Sequence, residues 1–193
     1  MKHVSAGFAM ALAGCALVGA RTLSSQQPLA SASAIQKRTQ AIVASFDKTK
    51  HEVKEKRGVR MEKYKSVRHE AVVKSNPADY SGTYEVPDMG FSLQLKVDRN
   101  GNVEGAGYEP VSFDSRVMRR FTLSNARIDG ALLTGRKVYA GGASDPLEGV
   151  FVNRTSFDSP AGPGFTTFGL GVTGADVRIS GVTFDRLFYQ LKR

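Results

Sequence analysis

The chain has 193 residues, of which 41% are apolar, 9% aromatic and 23% charged. One domain takes roughly 100–200 residues, so the length fits a single domain with a tail, and the composition excludes collagen-like, wholly disordered and multi-span membrane proteins. Lys and Arg (27) exceed Asp and Glu (18) by nine, and the one cysteine excludes an internal disulfide or a Cys-based zinc site. In chain order, Met1-Lys2-His3 is a short positive start, Val4 to Ala20 carries no charge over 17 residues, and Arg21 ends the run. A basic start followed by an apolar stretch reads as an export signal over residues 1–20. The stretch is short for a bilayer span and rich in Ala and Gly, so a permanent membrane helix is the lesser reading.

Leu12-Ala13-Gly14-Cys15 stands inside this segment. These four residues resemble a bacterial lipoprotein signal, whose small apolar tetrapeptide ends in an invariant Cys. The resemblance implies cleavage before Cys15, lipid attachment to its sulfur and anchoring on the envelope side of the membrane. More than one acyl chain is needed for stable anchoring, since each buried CH₂ contributes about 0.8 kcal/mol. Ala16-Leu17-Val18-Gly19-Ala20 stays apolar after the Cys, which departs from that pattern. An ordinary signal cut after Ala20, or later after Ala34, is the alternative, because both sites offer small residues.

Residues 21–34, rich in Ser, Ala and Gln, read as a flexible linker. From Ile35 the residues Thr39, Ile42, Phe46, Thr49 and Val53 recur at steps of four and three. This spacing predicts a basic helical segment over 35–76, with Gly58 a weak point and Asn76-Pro77 the stop. Residues 1–76 hold 14 Lys/Arg against 5 Asp/Glu, and residues 77–193 hold 13 of each, so the whole surplus lies ahead of residue 77. The first reading of such a segment is a solvated stalk whose charges keep it soluble, and the alternative is contact with an anionic membrane surface or an envelope polymer. Nucleic acid is disfavoured, because the only aromatics among these cations are Phe46 and Tyr64.

Residues 77–193 read as an antiparallel β domain. Phe91, Leu93, Leu95 and Val97 alternate with Ser92, Gln94, Lys96 and Asp98, a period-two strand ending in the turn signal Asp98-Arg99-Asn100-Gly101. A three-residue loop with Gly101 left-handed sets Val97 opposite Val103 and keeps apolar residues on one face. It also sets Gly105 and Gly107 across from the leucines. Further strands are expected at 81–86, 103–109, 120–128, 131–139, 147–154, 165–173 and 177–189, with turns at Asp129-Gly130 and Gly174-Ala175-Asp176. About eight sequential strands close economically as an up-and-down barrel, with a two-sheet sandwich as the alternative. Tyr80-Ser81-Gly82-Thr83-Tyr84 is similar to the opening strand of lipocalin-like and avidin-like barrels, which implies a small apolar ligand inside.

The chemistry of the domain is limited. His3, His51 and His69 all precede it, as does Cys15, so Ser–His–Asp and Cys–His catalysis lack a base there. Usual ligands for zinc, copper or haem are missing as well, and no cofactor is implied. Ser-Phe-Asp-Ser occurs at 112–115 and at 156–159, which makes Asp114 and Asp158 the acidic candidates for an acid/base pair or a calcium site; the competing reading is turn formation. Phe165, Phe168, Phe184, Phe188 and Tyr189 either line a cavity or fill the core. The leading expectation is an exported, non-enzymatic envelope protein. Its β domain would bind a small apolar ligand, an envelope polymer or a protein. The alternatives are a carboxylate-dependent hydrolase acting on envelope glycans and an assembly factor acting through its basic helix.

Overall fold

The computed structural model describes residues 31–111, 117–179 and 182–192, and side chains for all of these except 175–185. Helix α1 spans Ala32–Phe46, with the Ser31 side chain accepting from the Ala34 backbone N–H at its start. The export segment and most of the linker lie outside the described residues; Ala32, Ser33 and Ala34 belong to the helix. Its stripe is the expected one. Ile35, Ile42, Val43 and Phe46 pack on Ala131, Leu132, Val150 and Val152.

The helix does not run to residue 76. Asp47 turns extended, and the chain continues as β1 (Lys48–Lys56) and β2 (Val59–Ala71), an antiparallel hairpin. Arg57 and Gly58 both take positive φ, 54° and 74°, the geometry of a two-residue turn that matches the twist of the flanking strands. Gly58 is therefore a hairpin turn rather than a weak point in a helix. Thr49 and Val53 extended the stripe by coincidence of spacing. Asn76-Pro77 starts a short 3₁₀ turn, Pro77–Tyr80, instead of stopping a helix.

The next eight strands form an antiparallel meander: β3 (Gly82–Glu85), β4 (Ser92–Val97), β5 (Asn102–Pro110), β6 (Met118–Asp129), β7 (Leu132–Tyr139), β8 (Ser144–Phe157), β9 (Phe165–Ile179) and β10 (Val182–Leu191). Each pairs with its neighbour and β10 returns to β3, so the sheet closes into an up-and-down barrel. Closure removes the unpaired edges that an open sheet would leave. The expected register holds. Val97 faces Val103, Leu95 faces Gly105 and Leu93 faces Gly107, with Gly101 at φ 80°. Gly107 has no room for a side chain, because a Cβ there would lie 2.3 Å from the Ser92 carbonyl oxygen and 2.5 Å from Phe121 Cζ.

One turn differs from expectation. Gly174-Ala175-Asp176 is not a loop, since β9 continues to Ile179 and pairs there with Val182. Gly174 instead sits in a bulge, with φ 71°, where the pairing jumps from Thr173↔Arg186 to Val177↔Phe184.

Inward-pointing side chains fill the barrel. Tyr80, Tyr84, Phe91, Leu93, Phe121, Leu133, Phe151 and Leu170 are all essentially buried. Tyr80 stacks on Phe151 with ring centroids 4.2 Å apart. Its hydroxyl accepts from the Lys74 N–H at 2.9 Å and donates to the Val72 carbonyl at 2.7 Å, and the Tyr84 hydroxyl donates to the Tyr80 carbonyl at 2.6 Å. The segment likened to barrel-opening strands thus contributes two buried rings, Tyr80 and Tyr84, to the packed interior.

The long β8 ties the pieces together. Along one edge its residues 144–150 pair with β7 and its residues 152–157 pair with β2. The β2 pairing ends at Ser66↔Phe157, and beyond it residues 50–65 pair only with each other. The hairpin therefore projects past the end of the barrel as an arm, braced at its root by α1.

Candidate functional site

Asp158 is exposed just beyond the end of β8, and Asp114 lies outside the described residues. Among the described residues no group of three His, Cys, Asp or Glu is placed to hold a metal ion. The late aromatics do not form one cluster. Phe168 stacks over Phe151 inside, Tyr189 is buried inside, Phe188 lies outside under α1, and Phe165 is 75% exposed. The Phe184 side chain lies outside the described ones.

Among the described residues two charged constellations stand out, one inside the barrel and one outside. The inner one centres on Glu109, 3% exposed. Its carboxylate accepts from Lys137 Nζ at 2.7 Å, from the Tyr139 hydroxyl at 2.8 Å and from the Arg119 guanidinium. Arg119 also lies over the Tyr139 ring, 3.8 Å from its centroid. Burial alone pushes the Glu109 carboxyl up, but the Lys137 ammonium and the three donors outweigh it and hold the group below the ordinary carboxylate value. Burial, with Glu109 next, pushes the Tyr139 hydroxyl far up. A base needs a pKa near the working pH, and Glu109 is moved the wrong way. The cluster is a pin across β5, β6 and β7.

Neither Glu109 nor Lys137 stands out in the sequence, yet the alternation contains both. Val103, Gly105, Gly107 and Glu109 share one parity, as do Leu133, Gly135, Lys137 and Tyr139. Carrying the inward face of each strand to its end places the two charges inside together. Arg119, in sequence part of a basic knot with Arg116 and Arg120, is their third partner.

The outer constellation is the arm. Residues 48–65 carry eight Lys/Arg against three Glu, whereas α1 contains only Lys37 and Arg38. The basic surplus expected on a helix therefore rides mainly on a hairpin. Opposed residues of an antiparallel pair share a face, so the register sorts the charges. One face holds Lys48, Lys50, Lys54, Lys56, Lys63 and Lys65, with Glu52 its only acid. The other face mixes Arg60 with Glu55 and Glu62, and carries His51, Val53 and Tyr64. Glu52 sits near Lys50, Lys54 and Lys63, and hydrogen bonding and charge from Lys50 lower its carboxyl pKa most. Lys50 stands directly opposite Lys65, a like-charge pair that weakens a hairpin. The lysine face has the parity of Ala71, whose partner Val152 lies on the outside of the wall under α1. It is thus the outer face of the arm.

At the root of the arm, the side chain of His69 is only 3% exposed. It lies between the rings of Phe46 and Phe188, with Nδ1 3.1 Å from the Asp47 carboxylate. Burial lowers its pKa most and Arg154 lowers it further, which together outweigh Asp47.

Comparison with known proteins finds no similar family model, curated protein or solved structure for this chain.

Proposed function

We propose that this protein is an exported, non-enzymatic interaction module of the cell envelope, in which a filled barrel holds a basic arm, residues 48–65, against an anionic partner. The observation that carries this reading is the sorting of six lysines onto the outer face of one hairpin, five of them, Lys50, Lys54, Lys56, Lys63 and Lys65, on the part that projects beyond its scaffold. Lysines on an edge strand are a common guard against sheet-to-sheet pairing. That role calls for neither six on one face nor an arm extended past the barrel. The packed interior supports an interaction role over a cavity for a small apolar ligand. The apolar start of the chain and Cys15 support placement on the envelope side, with a lipid anchor there.

The test is retention on an immobilised polyanion such as polyphosphate. The wild-type chain is expected to bind and to elute only as salt rises. The quadruple variant Lys54→Gln, Lys56→Gln, Lys63→Gln, Lys65→Gln should elute well before it. Equal elution of the two removes the reading. Intact-mass measurement of the native protein tests the export part, because a lipid-modified chain starting at Cys15 differs from one starting at Arg21, at Ile35 or at Met1.

A further inference from the structure

We infer that the occupant of the lysine face is the headgroup layer of an anionic phospholipid bilayer, with the tip of the arm entering it; this rests on the anionic-partner reading above. Charge alone does not select among polyanions. The apolar residues on the same face do. Val59 stands opposite Lys56 and Met61 opposite Lys54, so both lie among the lysines near the turn. They are 60% and 48% exposed and touch no core. A nucleic acid gains from aromatic side chains that stack on bases. On this arm the rings, His51 and Tyr64, are edge-to-face with each other on the opposite side. The lysine face offers long flexible cations around two aliphatic side chains. That pattern suits an interface, where aliphatic groups enter the acyl boundary and lysine stems lie along it with their ammonium groups among phosphates.

The geometry fits as well. Lys50 and Lys54 side chains are each 74% exposed, and the face has the parity of the outer barrel wall, where α1 packs at the root, so the part that a surface can meet is the stretch beyond the root that carries Lys50, Lys54, Val59 and Met61. Each lysine close to an anionic surface raises affinity about fivefold.

The chain has no tryptophan. Met61→Trp therefore places a single fluorescent reporter on the lysine face, and Val53→Trp places one on the other face. The full chain carrying each reporter is mixed with vesicles of phosphatidylcholine alone, with vesicles of phosphatidylcholine and phosphatidylglycerol in equal parts, and with a single-stranded oligonucleotide. The expected result is a blue shift for the position-61 reporter on the anionic vesicles only, and little or none for the position-53 reporter. Adding the four Lys→Gln changes should weaken the partition of the position-61 reporter at least about tenfold. Circular dichroism of each variant checks that the barrel is intact. Equal shifts at both positions, or no shift at position 61, overturn the bilayer proposal. If the oligonucleotide binds more tightly than the anionic vesicles and the lysine changes abolish that binding, the partner is a nucleic acid; the bilayer proposal falls and the anionic-partner reading stands. If neither polyanion binds, both fall.

Discussion

At the scale of single residues, Glu109 shows how far a charge can be carried inward when its partners come with it. Breaking one member of such a cluster leaves the rest uncompensated. Glu109→Gln leaves the Lys137 ammonium buried with no counter-charge, and should cost about 3–5 kcal/mol in urea unfolding. Replacing both with Met should cost clearly less, because both desolvation penalties go together. The sign of the pH effect follows from the lowered pKa. Folding favours the ionised carboxylate, so the stabilisation is full above the ordinary carboxylate value of 4.5 and is lost as pH falls through the lower value in the fold. Acid unfolding midpoints of the wild type and Glu109→Gln measure this. Gly107→Ala tests the neighbouring packing. The added methyl meets the Ser92 carbonyl and the Phe121 ring, and the expected loss is about 1–3 kcal/mol.

At the scale of elements, legibility in the sequence tracks how many apolar residues each element spends on its pattern. Phe91 and β4 together alternate four apolar residues with polar ones, and the pairing of β4 with β5 follows from keeping them on one face. β1 and β2 spend few. Across residues 48–66 the apolar side chains are Val53, Val59, Met61 and Tyr64, too sparse to separate a period of two from one of 3.6. The turn at Arg57-Gly58 is the remaining signal, and a Gly also reads as a defect in a helix. The inner cluster is hidden for another reason: charged residues at strand ends are ordinarily exposed, and the partners that offset the burial of Glu109, Arg119, Lys137 and Tyr139, lie 10 to 30 positions along the chain. The root of the arm gives an element-scale prediction. His69 has a lowered pKa, so the fold favours its neutral form. Its stabilisation is full above the ordinary histidine value of 6.5, and falls as the pH drops below that until His69 is protonated in the fold as well. Between about pH 7.5 and about pH 5 the urea midpoint of the wild type should fall more steeply than that of His69→Phe. Equal slopes would assign the titration elsewhere.

At the scale of the whole molecule, scaffold and arm are separable in energy. The barrel has a filled core and a closed ladder, and its seam is short: Gln190↔Glu85 and Leu191↔Tyr84, continued by the Lys192 N–H to the Thr83 carbonyl at 2.8 Å. The arm beyond Ser66 has two strands and no core, and a two-stranded hairpin is marginal by itself in water. Thr49 and Ser66 face each other at the point where the arm leaves its supports, with their hydroxyl oxygens 3.0 Å apart. Replacing residues 50–65 with Asn-Gly should therefore close a short hairpin at that pair and shift barrel stability by no more than about 1 kcal/mol. Polyanion retention should vanish with the arm. Amide exchange in the wild type should show the same division, with fast exchange over 50–65 and slow exchange along β4, β5 and β7. A deletion that unfolds the barrel would mean that the arm is part of the scaffold, and its lysines would then need a structural explanation in place of a binding one.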